Sequence, residues 1–560
     1  MKSKFTLSLL ALAVAATLPT FAQQTRPARN RRPNSQNSSQ ATAQTNAQPK
    51  TPTPAPEATP APGRGNQMYG FEPEATDPPP VKTHHSVTID GKTYQYTAEV
   101  GKMPIADASG KTMGHMFYVA YLVDNPDPSH PRPVTISYNG GPGYASVWVH
   151  VGGFGPRRVA LNDNGSVPPP PYKLVNNADS WLDATDLVFV DAVGTGYSRA
   201  TDLKNLKAAT NAQGDLEAFA QFIRMWMYQN NRLNSPLILA GESYGTFRSA
   251  GLSNVLWQHH IPVTGIVLLS SVLNFDTLRP SYSNDRPYWL MLPTQTAIAW
   301  HYHKLAPQYQ KETLPEAVKQ SEEWAETNYQ HYLDLGDALQ GAPRQQALKE
   351  MSALTGLSPQ FLDGWNLRIS TALFDSSLLR DRRKIIGRYD GTQIGTNRTP
   401  GDIRPDYDAS SDLDTAYQHE FVEYLRNNLD YRSTLEYGQY GLGGSGFPGW
   451  SYNISSGGRF GRGSSGPGNA NDDVSQDLER AFAQDPSLRV MLCEGYFDQA
   501  TPMLEATYSM RHLFITPAEQ THISIEHYES GHMIYAIKGT REKLHRDFDA
   551  FVRSVTGAGQ

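Results

Sequence analysis

The amino-acid sequence predicts an α/β fold, in which a mostly parallel sheet is covered by helices on both faces and carries a helical lid insertion. Three observations support this prediction. Short apolar runs, typical of buried strands, alternate with segments of helical periodicity. One of these runs leads through a glycine-flanked turn into a segment able to form a helix. The alternation stops over residues 275–436, where sequence rich in Gln, Glu, Leu and Ala indicates helices.

The first half of the sheet is predicted from five strands. Those over 86–89, 94–99 and 115–124 are separated by turns such as Asp90-Gly91, which indicates an antiparallel opening. Buried strands over 134–138 and 187–191 follow. A helix over 213–228 comes next, because five apolar residues share one helical face: Leu216, Phe219, Ala220, Ile223 and Met227.

The second half of the sheet is predicted from four further strands, at 237–240, 266–270, 489–494 and 523–528. A last helix is indicated by its apolar stripe of Leu544, Phe548, Phe551, Val552 and Val555. We therefore expect two core segments, 81–275 and 437–560, separated by the helical insertion at 276–436.

The N-terminal residues are typical of an exported protein. Lys2 and Lys4 precede an apolar run, so residues 1–22 are interpreted as a signal peptide cleaved after about Ala22. The run is too short for a comfortable membrane span. Residues 23–80, rich in Gln, Thr and Pro, predict a disordered spacer. Cys493 is the only cysteine, which is ordinary for a bacterial protein in the periplasm or outside the cell.

The most informative motif is Gly-Glu-Ser-Tyr-Gly at residues 241–245. A strand, a sharp turn and a helix around Gly-x-Ser-x-Gly are typical of a nucleophile elbow, which makes Ser243 the candidate nucleophile. A serine hydroxyl needs a base and an orienting acid, which follow in the order acid, then histidine. Asp498 and His532 each come just after a predicted strand, where sites in open α/β sheets lie.

Two backbone N–H groups are needed to stabilise the oxyanion that such a nucleophile creates. We predict that the first N–H group comes from Tyr244, the residue after the nucleophile. Gly140 supplies the second, because the glycine-rich segment 139–143 follows an early strand.

These segments together resemble the serine carboxypeptidase family, over roughly residues 130–540 and in the family's order. The matches are Asn-Gly-Gly-Pro-Gly at 139–143, Gly-Pro at 155–156, Val-Asp-Ala-Val-Gly-Thr-Gly-Tyr-Ser at 190–198, the pentapeptide at 241–245, Asp498, and Gly-His-Met at 531–533. The resemblance implies an α/β-hydrolase fold and removal of C-terminal residues from peptides through an acyl-enzyme. It also implies that Asn139 and Glu242 bind the terminal carboxylate of the substrate. Glu242 can donate a hydrogen bond to that carboxylate only while it is protonated, which is a physical reason for activity that favours acidic pH.

The chain departs from the family pattern in three ways. Ser137 replaces a tryptophan, Gly153 replaces a glutamate that would form a carboxyl pair around the substrate carboxylate, and the family's disulfides are absent. Arg157 or Arg158, close to Gly153 in sequence, is a hypothetical substitute for that glutamate in binding the substrate carboxylate.

Other functions remain open at this stage. An esterase or acyltransferase could use the same three residues on a small ester, and sequence separates these activities poorly. A proline-releasing aminopeptidase usually carries histidine where this chain has Asn139. A binding protein on an inactive scaffold would be expected to lose one of Ser243, Asp498 or His532. The net charge of −6 gives no reason to expect nucleic-acid binding, and we predict no metal site and no cofactor.

Overall fold

The computed structural model describes residues 79–124, 131–438, 450 and 473–557, and it is organised around one ten-stranded sheet. The predicted signal peptide and all but two residues of the predicted spacer lie outside the described residues. The strands are β1 (Val81–Ile89), β2 (Lys92–Ala106), β3 (Thr112–Val123), β4 (Val134–Tyr138), β5 (Arg157–Val159), β6 (Leu174–Asn176), β7 (Asp186–Val190), β8 (Arg199–Ala200), β9 (Leu237–Ser243), β10 (Gly265–Ser271), β11 (Lys384–Ile386), β12 (Ile394–Thr396), β13 (Arg489–Gly495) and β14 (Ile523–Tyr528).

The sheet has the order β1-β2-β3-β7-β4-β9-β10-β13-β14, with β8 paired to β3. Strands β1, β2 and β3 pair in antiparallel fashion, as does β3 with β7. From β7 to β14 every neighbouring pair is parallel. The predicted fold class is therefore confirmed, including the antiparallel opening and each strand predicted from the sequence.

Helices cover both faces of the sheet. They are α1 (Leu203–Ala209), α2 (Ala212–Gln229), α3 (Tyr244–Gln258), α4 (Arg286–His301), α5 (Pro307–Gln310), α6 (Leu314–Trp324), α7 (Gln330–Leu335), α8 (Gly341–Thr355), α9 (Pro359–Gly364), α10 (Thr371–Ser377), α11 (Leu413–Asn427), α12 (Ser475–Gln484), α13 (Met503–Arg511), α14 (Pro517–Gln520) and α15 (Lys538–Thr556). A short π-helical segment, Trp148–Phe154, follows β4.

The two faces form separate cores because side chains alternate along each strand. On β9, Leu239 packs in the core that holds Phe219 of α2 and Phe247 of α3. The next residue, Ala240, packs in the opposite core, which holds Phe548 of α15. Apolar side chains on both faces explain why the central strands are continuous hydrophobic runs.

The helical insertion after β10 contains helices α4 to α11 and the hairpin β11–β12. It has a core of its own, formed by residues such as Leu290, Leu348 and Phe374. Phe497, from the loop after β13, packs into this third core. The loop that carries Asp498 is thus held by the sheet on one side and by the helical insertion on the other. The exact limits of the insertion, 276–436, stay a prediction.

Candidate active site

Ser243 occupies a strained turn at the end of β9. Its backbone has φ +60° and ψ −130°, a combination that a residue with a side chain rarely adopts, and α3 begins at the next residue. A Cβ atom on Gly241 would overlap the carbonyl oxygen of Gly245, so the turn requires glycine there. Ser243 is partly exposed, whereas its neighbours in the turn are buried.

Asp498 and His532 form a hydrogen-bonded pair at the carboxyl ends of β13 and β14. His532 Nδ1 lies 2.7 Å from Asp498 Oδ2, and Asp498 is fully buried. The other oxygen, Oδ1, accepts hydrogen bonds from the backbone N–H groups of Ala500 at 2.8 Å and Thr501 at 3.1 Å. The aspartate therefore has a fixed orientation before it contacts the imidazole.

The electrostatics of this pair favour a protonated imidazole. Burial of His532 lowers its pKa, but the adjacent Asp498 carboxylate more than offsets this effect and raises the pKa above the ordinary value. Because Nδ1 faces Asp498, Nε2 is the nitrogen left for a proton exchange on the other side of the ring.

The glycine-rich loop after β4 lies directly against the turn at Ser243. A Cβ atom on Gly140 would overlap the backbone nitrogens of Tyr244 and Gly245. Only glycine permits this approach, which places the two predicted oxyanion donors, Gly140 and Tyr244, next to each other.

Arg248 of α3 fixes the orientation of the Gly140 N–H group. Its Nη1 donates to the carbonyl oxygen of Asn139 at 2.8 Å, and that carbonyl belongs to the same peptide group as the Gly140 N–H. Nε and Nη2 donate to Asp215 of α2, at 2.7 Å and 3.2 Å. The Arg248 side chain is completely buried and lies over the ring of Phe219.

Sequence reasoning did not identify Arg248 or Asp215. A signal was nevertheless present, because Asp215 lies four residues before Phe219 and therefore on the apolar face of its helix. A carboxylate on a buried face needs a partner.

Asn139 and Glu242 contact each other beside Ser243. Asn139 Nδ2 donates to Glu242 Oε1 at 2.7 Å, and Asn139 Oδ1 accepts from the Val149 N–H at 3.1 Å. Burial raises the pKa of Glu242 to about 7, although the nearby His532 acts to lower it. Glu242 is therefore protonated in mildly acid solution and can then donate a hydrogen bond.

Tyr535 occupies the space beside Gly153. A Cβ atom at residue 153 would lie only 2.8 Å from Tyr535 Cγ, so a larger side chain does not fit while this ring is present. The hydroxyl groups of Tyr535 and Tyr417 are buried, and both tyrosines interact electrostatically with Glu242. Two phenols thus surround Glu242 where the family pattern has a second carboxyl group.

One cavity of about 290 Å³ joins these residues. Six of the seven predicted site residues line it: Ser243, His532, Gly140, Tyr244, Asn139 and Glu242. Asp498 lies behind His532. One part of the wall is apolar, with Val272, Phe275 and Leu278, and the helical insertion contributes a polar part that the sequence did not reveal, with Arg388, Tyr389, Ser410, Ser411 and Asp414.

Arg157 and Arg158 do not line this cavity. The guanidinium group of Arg157 donates to Asn176 Oδ1 at 2.6 Å, within the β5–β6 hairpin. Arg158 donates to the carbonyl oxygen of Val159. These positions give no support to the hypothesis that one of the two arginines binds the substrate carboxylate in place of a glutamate at residue 153.

Away from the cavity, Asp90, Asp183 and His545 bring three potential ligand atoms within 4.8 Å of one another. His545 Nε2 lies 3.1 Å from Asp183 Oδ2, and the surrounding carboxylates, with Asp183 the main one, raise the pKa of His545 despite its burial. Over the part of the chain that the structure describes, no helix has both the length and the apolar character needed to cross a bilayer.

Residues 96–366 match the family model described as serine carboxypeptidase. The matched segment is of the serine carboxypeptidase family. Among its relatives is serine-type carboxypeptidase F of Aspergillus niger, which is 30% identical over 183 residues, covering 31% of this chain and 29% of that protein. Serine carboxypeptidase-like 51 of Arabidopsis thaliana is 34% identical over 143 residues, covering 23% of this chain and 27% of the relative.

In each of these comparisons this chain spans less than a third of the length of the curated relative. A prohormone-processing carboxypeptidase from Saccharomyces cerevisiae is similar in structure, with a TM-score of 0.46 and 14% identity over 81% of this chain and 91% of the other.

Replacing Asp498 with asparagine should lower the pKa of His532. Burial would then act on the imidazole without the opposing carboxylate, so the pKa is expected to fall below its value in the unaltered protein. NMR titration of labelled histidines measures this directly. His545 is the control, because its pKa is raised by Asp183 in another part of the molecule. An unchanged pKa of His532 in Asp498→Asn would contradict the assignment.

Proposed function

We propose that the protein is a serine carboxypeptidase that hydrolyses the last peptide bond of its substrates through an acyl-enzyme. The observation that carries the proposal is the convergence on one cavity of a strained serine, an aspartate-oriented histidine and the Asn139–Glu242 pair. The first two provide the hydrolytic chemistry. The third provides hydrogen-bonding groups for the free carboxylate that defines a carboxypeptidase substrate.

In the first half of the reaction, Ser243 Oγ attacks the carbonyl carbon and His532 Nε2 accepts the hydroxyl proton. The N–H groups of Gly140 and Tyr244 donate to the oxyanion that forms. The carbon–nitrogen bond then breaks, and His532 gives the proton to the departing amino group. In the second half, water attacks the acyl-enzyme, again with His532 as base, and Ser243 recovers its proton.

The substrate carboxylate is bound by Asn139 and Glu242 in this proposal. Both side chains lie beside Ser243 and line the cavity. Protonated Glu242 donates a hydrogen bond to a carboxylate, whereas ionised Glu242 repels it. The apolar wall at Val272, Phe275 and Leu278 provides room for a substrate side chain.

Mass spectrometry of a mixed peptide pool tests the reaction class. We expect stepwise loss of residues from the C-terminus, no loss from peptides whose C-terminus is amidated, and no turnover by Ser243→Ala, because that variant lacks the nucleophile. A fluorophosphonate probe should label the unaltered protein and not Ser243→Ala. An intact peptide pool together with hydrolysis or transfer of small esters would favour the esterase or acyltransferase alternative.

A second prediction concerns pH. Because burial raises the pKa of Glu242 to about 7, KM for a free-acid peptide should increase about tenfold between pH 5.5 and pH 8, as Glu242 loses its proton and repels the substrate. The groups that face Glu242 are Asn139, Tyr535, Tyr417 and His532, with the Asp498 charge behind them.

Glu242→Gln cannot ionise, so its KM should not change over this pH range, apart from effects that an amidated or ester substrate also shows. Steady-state kinetics with a matched pair of free-acid and amidated substrates separate the two contributions. The same pH dependence of KM in Glu242→Gln would assign the titration to another group.

We also propose that the enzyme is exported to the periplasm or secreted, with cleavage after about Ala22. The support is the charge and hydropathy pattern of residues 1–22 alone. Expression of the full chain, followed by cell fractionation and mass determination of the product, tests it. We expect a mature form that begins near residue 23 outside the cytoplasm; a cytoplasmic product that retains Met1 to Ala22 would contradict export.

A further inference from the structure

Arg388 is a cationic residue in the wall of the cavity. It belongs to the loop after β11, in the helical insertion, and its side chain is exposed. It lines the same cavity as Ser243, His532 and Asn139. Among the residues for which the structure gives positions, no carboxylate lies within 4.0 Å of its guanidinium nitrogens. Arg388 therefore brings a permanent positive charge to the cavity wall with no ion pair to a described residue at that distance, although the Asp498 and Asp408 carboxylates act on it electrostatically.

The guanidinium group lies close to the candidate catalytic histidine. Its carbon is 5.0 Å from the centre of the Tyr389 ring, and that ring is 5.2 Å from the centre of the His532 ring. These two separations limit the distance between guanidinium carbon and imidazole centre to about 10 Å. The charge of Arg388 also acts to lower the pKa of His532, which is a second sign of proximity.

A separation of at most about 10 Å between the guanidinium carbon and the imidazole centre is compatible with contact between Arg388 and the terminal carboxylate of a bound peptide. In a carboxypeptidase substrate the carboxylate lies one residue beyond the reacting carbonyl, and one extended residue spans about 3.3–3.6 Å. An arginine side chain that reaches into the cavity from a few ångströms further away can contact such a group. Arginine presents paired N–H donors in a geometry that matches a carboxylate.

The charge balance of the cavity gives a reason for a cation here. Glu242 has a pKa of about 7, so near neutral pH a substrate carboxylate beside it meets a partly ionised side chain. Asp414, also in the cavity wall, accepts a hydrogen bond from Trp148 Nε1 at 3.1 Å. Apart from His532, whose pKa is raised, the charged side chains Glu242 and Asp414 of this cavity wall are acidic, so Arg388 adds the permanent positive charge.

We propose that Arg388 binds the terminal carboxylate of the substrate and is a specificity-determining residue of this chain. The proposal rests on the proposed carboxypeptidase function. The cation that binds the substrate carboxylate is thus Arg388 of the helical insertion, and not Arg157 or Arg158. Arg388 acts together with Asn139 and Glu242, and its contribution persists at pH values where Glu242 is ionised.

The test compares hydrolysis of one peptide with a free C-terminus and of the same peptide as an ester or amide at that end. Arg388→Ala should lose at least about tenfold in kcat/KM on the free acid, about 1.4 kcal/mol, with little change on the blocked substrate. The loss should be larger at pH 8 than at pH 5.5. Arg388→Lys should recover part of it, because it keeps the charge and loses the paired geometry.

Arg157→Ala is the matched control, since it removes an arginine that is bonded outside the cavity. A fluorophosphonate probe should still label Ser243 in every variant, which excludes loss of the nucleophile. An unaltered preference for the free acid in Arg388→Ala overturns the proposal. So does a loss confined to peptides with a C-terminal glutamate relative to glutamine, because Arg388 would then bind a substrate side chain.

The two proposals fail in different ways. If the unaltered protein shows no preference for the free acid, the carboxypeptidase function fails and the role of Arg388 fails with it. If the unaltered protein shows the preference and Arg388→Ala keeps it, only the role of Arg388 fails.

Discussion

The buried ion pair between Arg248 and Asp215 fixes the position of the Asn139–Gly140 peptide group relative to the helix that follows Ser243. The guanidinium group connects the helix that follows Ser243, the neighbouring helix α2 and the carbonyl oxygen of Asn139. Because all three contacts are out of water, removing either charge would leave the other buried and unpaired, at a cost of about 3–5 kcal/mol. The pair therefore contributes more to geometry than to net stability. It fixes one peptide plane, and that plane carries both the Asn139 carbonyl and the Gly140 N–H.

The histidine is held from two directions. Its backbone N–H donates to the carbonyl oxygen of Tyr389 at 2.6 Å, and its own carbonyl oxygen accepts from Ser270 Oγ at 2.7 Å. Tyr389 belongs to the helical insertion and Ser270 to β10, so the two structural parts meet at His532. A displacement of the β11–β12 hairpin would consequently act on the imidazole as well as on the cavity wall. The insertion contributes directly to the candidate site and does not merely cover it.

Much of this arrangement was predictable from the sequence, because the relevant signals are local. Apolar runs predict the strands, glycines mark the positions where backbones approach, and Asp498 and His532 follow strands whose ends meet at one edge. The remaining features depend on contacts distant in sequence. Nothing near Gly153 indicates that Tyr535 fills its space, and Arg388 has no motif that distinguishes it from the arginines around it. The sequence hypothesis placed a cation at Arg157 or Arg158 because they are neighbours along the chain, whereas the fold places Arg388 in the cavity.

The close approach of Tyr535 to Gly153 makes the side chains allowed at these two positions depend on each other. A glutamate at residue 153 cannot coexist with the ring as it stands, since even a Cβ atom would lie within 3.1 Å of three carbons of that side chain. A glutamate at residue 153 therefore requires a smaller or displaced side chain at residue 535. Introducing glutamate at residue 153 alone would create a clash with the Tyr535 ring. A second carboxyl group beside Glu242 is thus compatible with this site only if residues 153 and 535 change together.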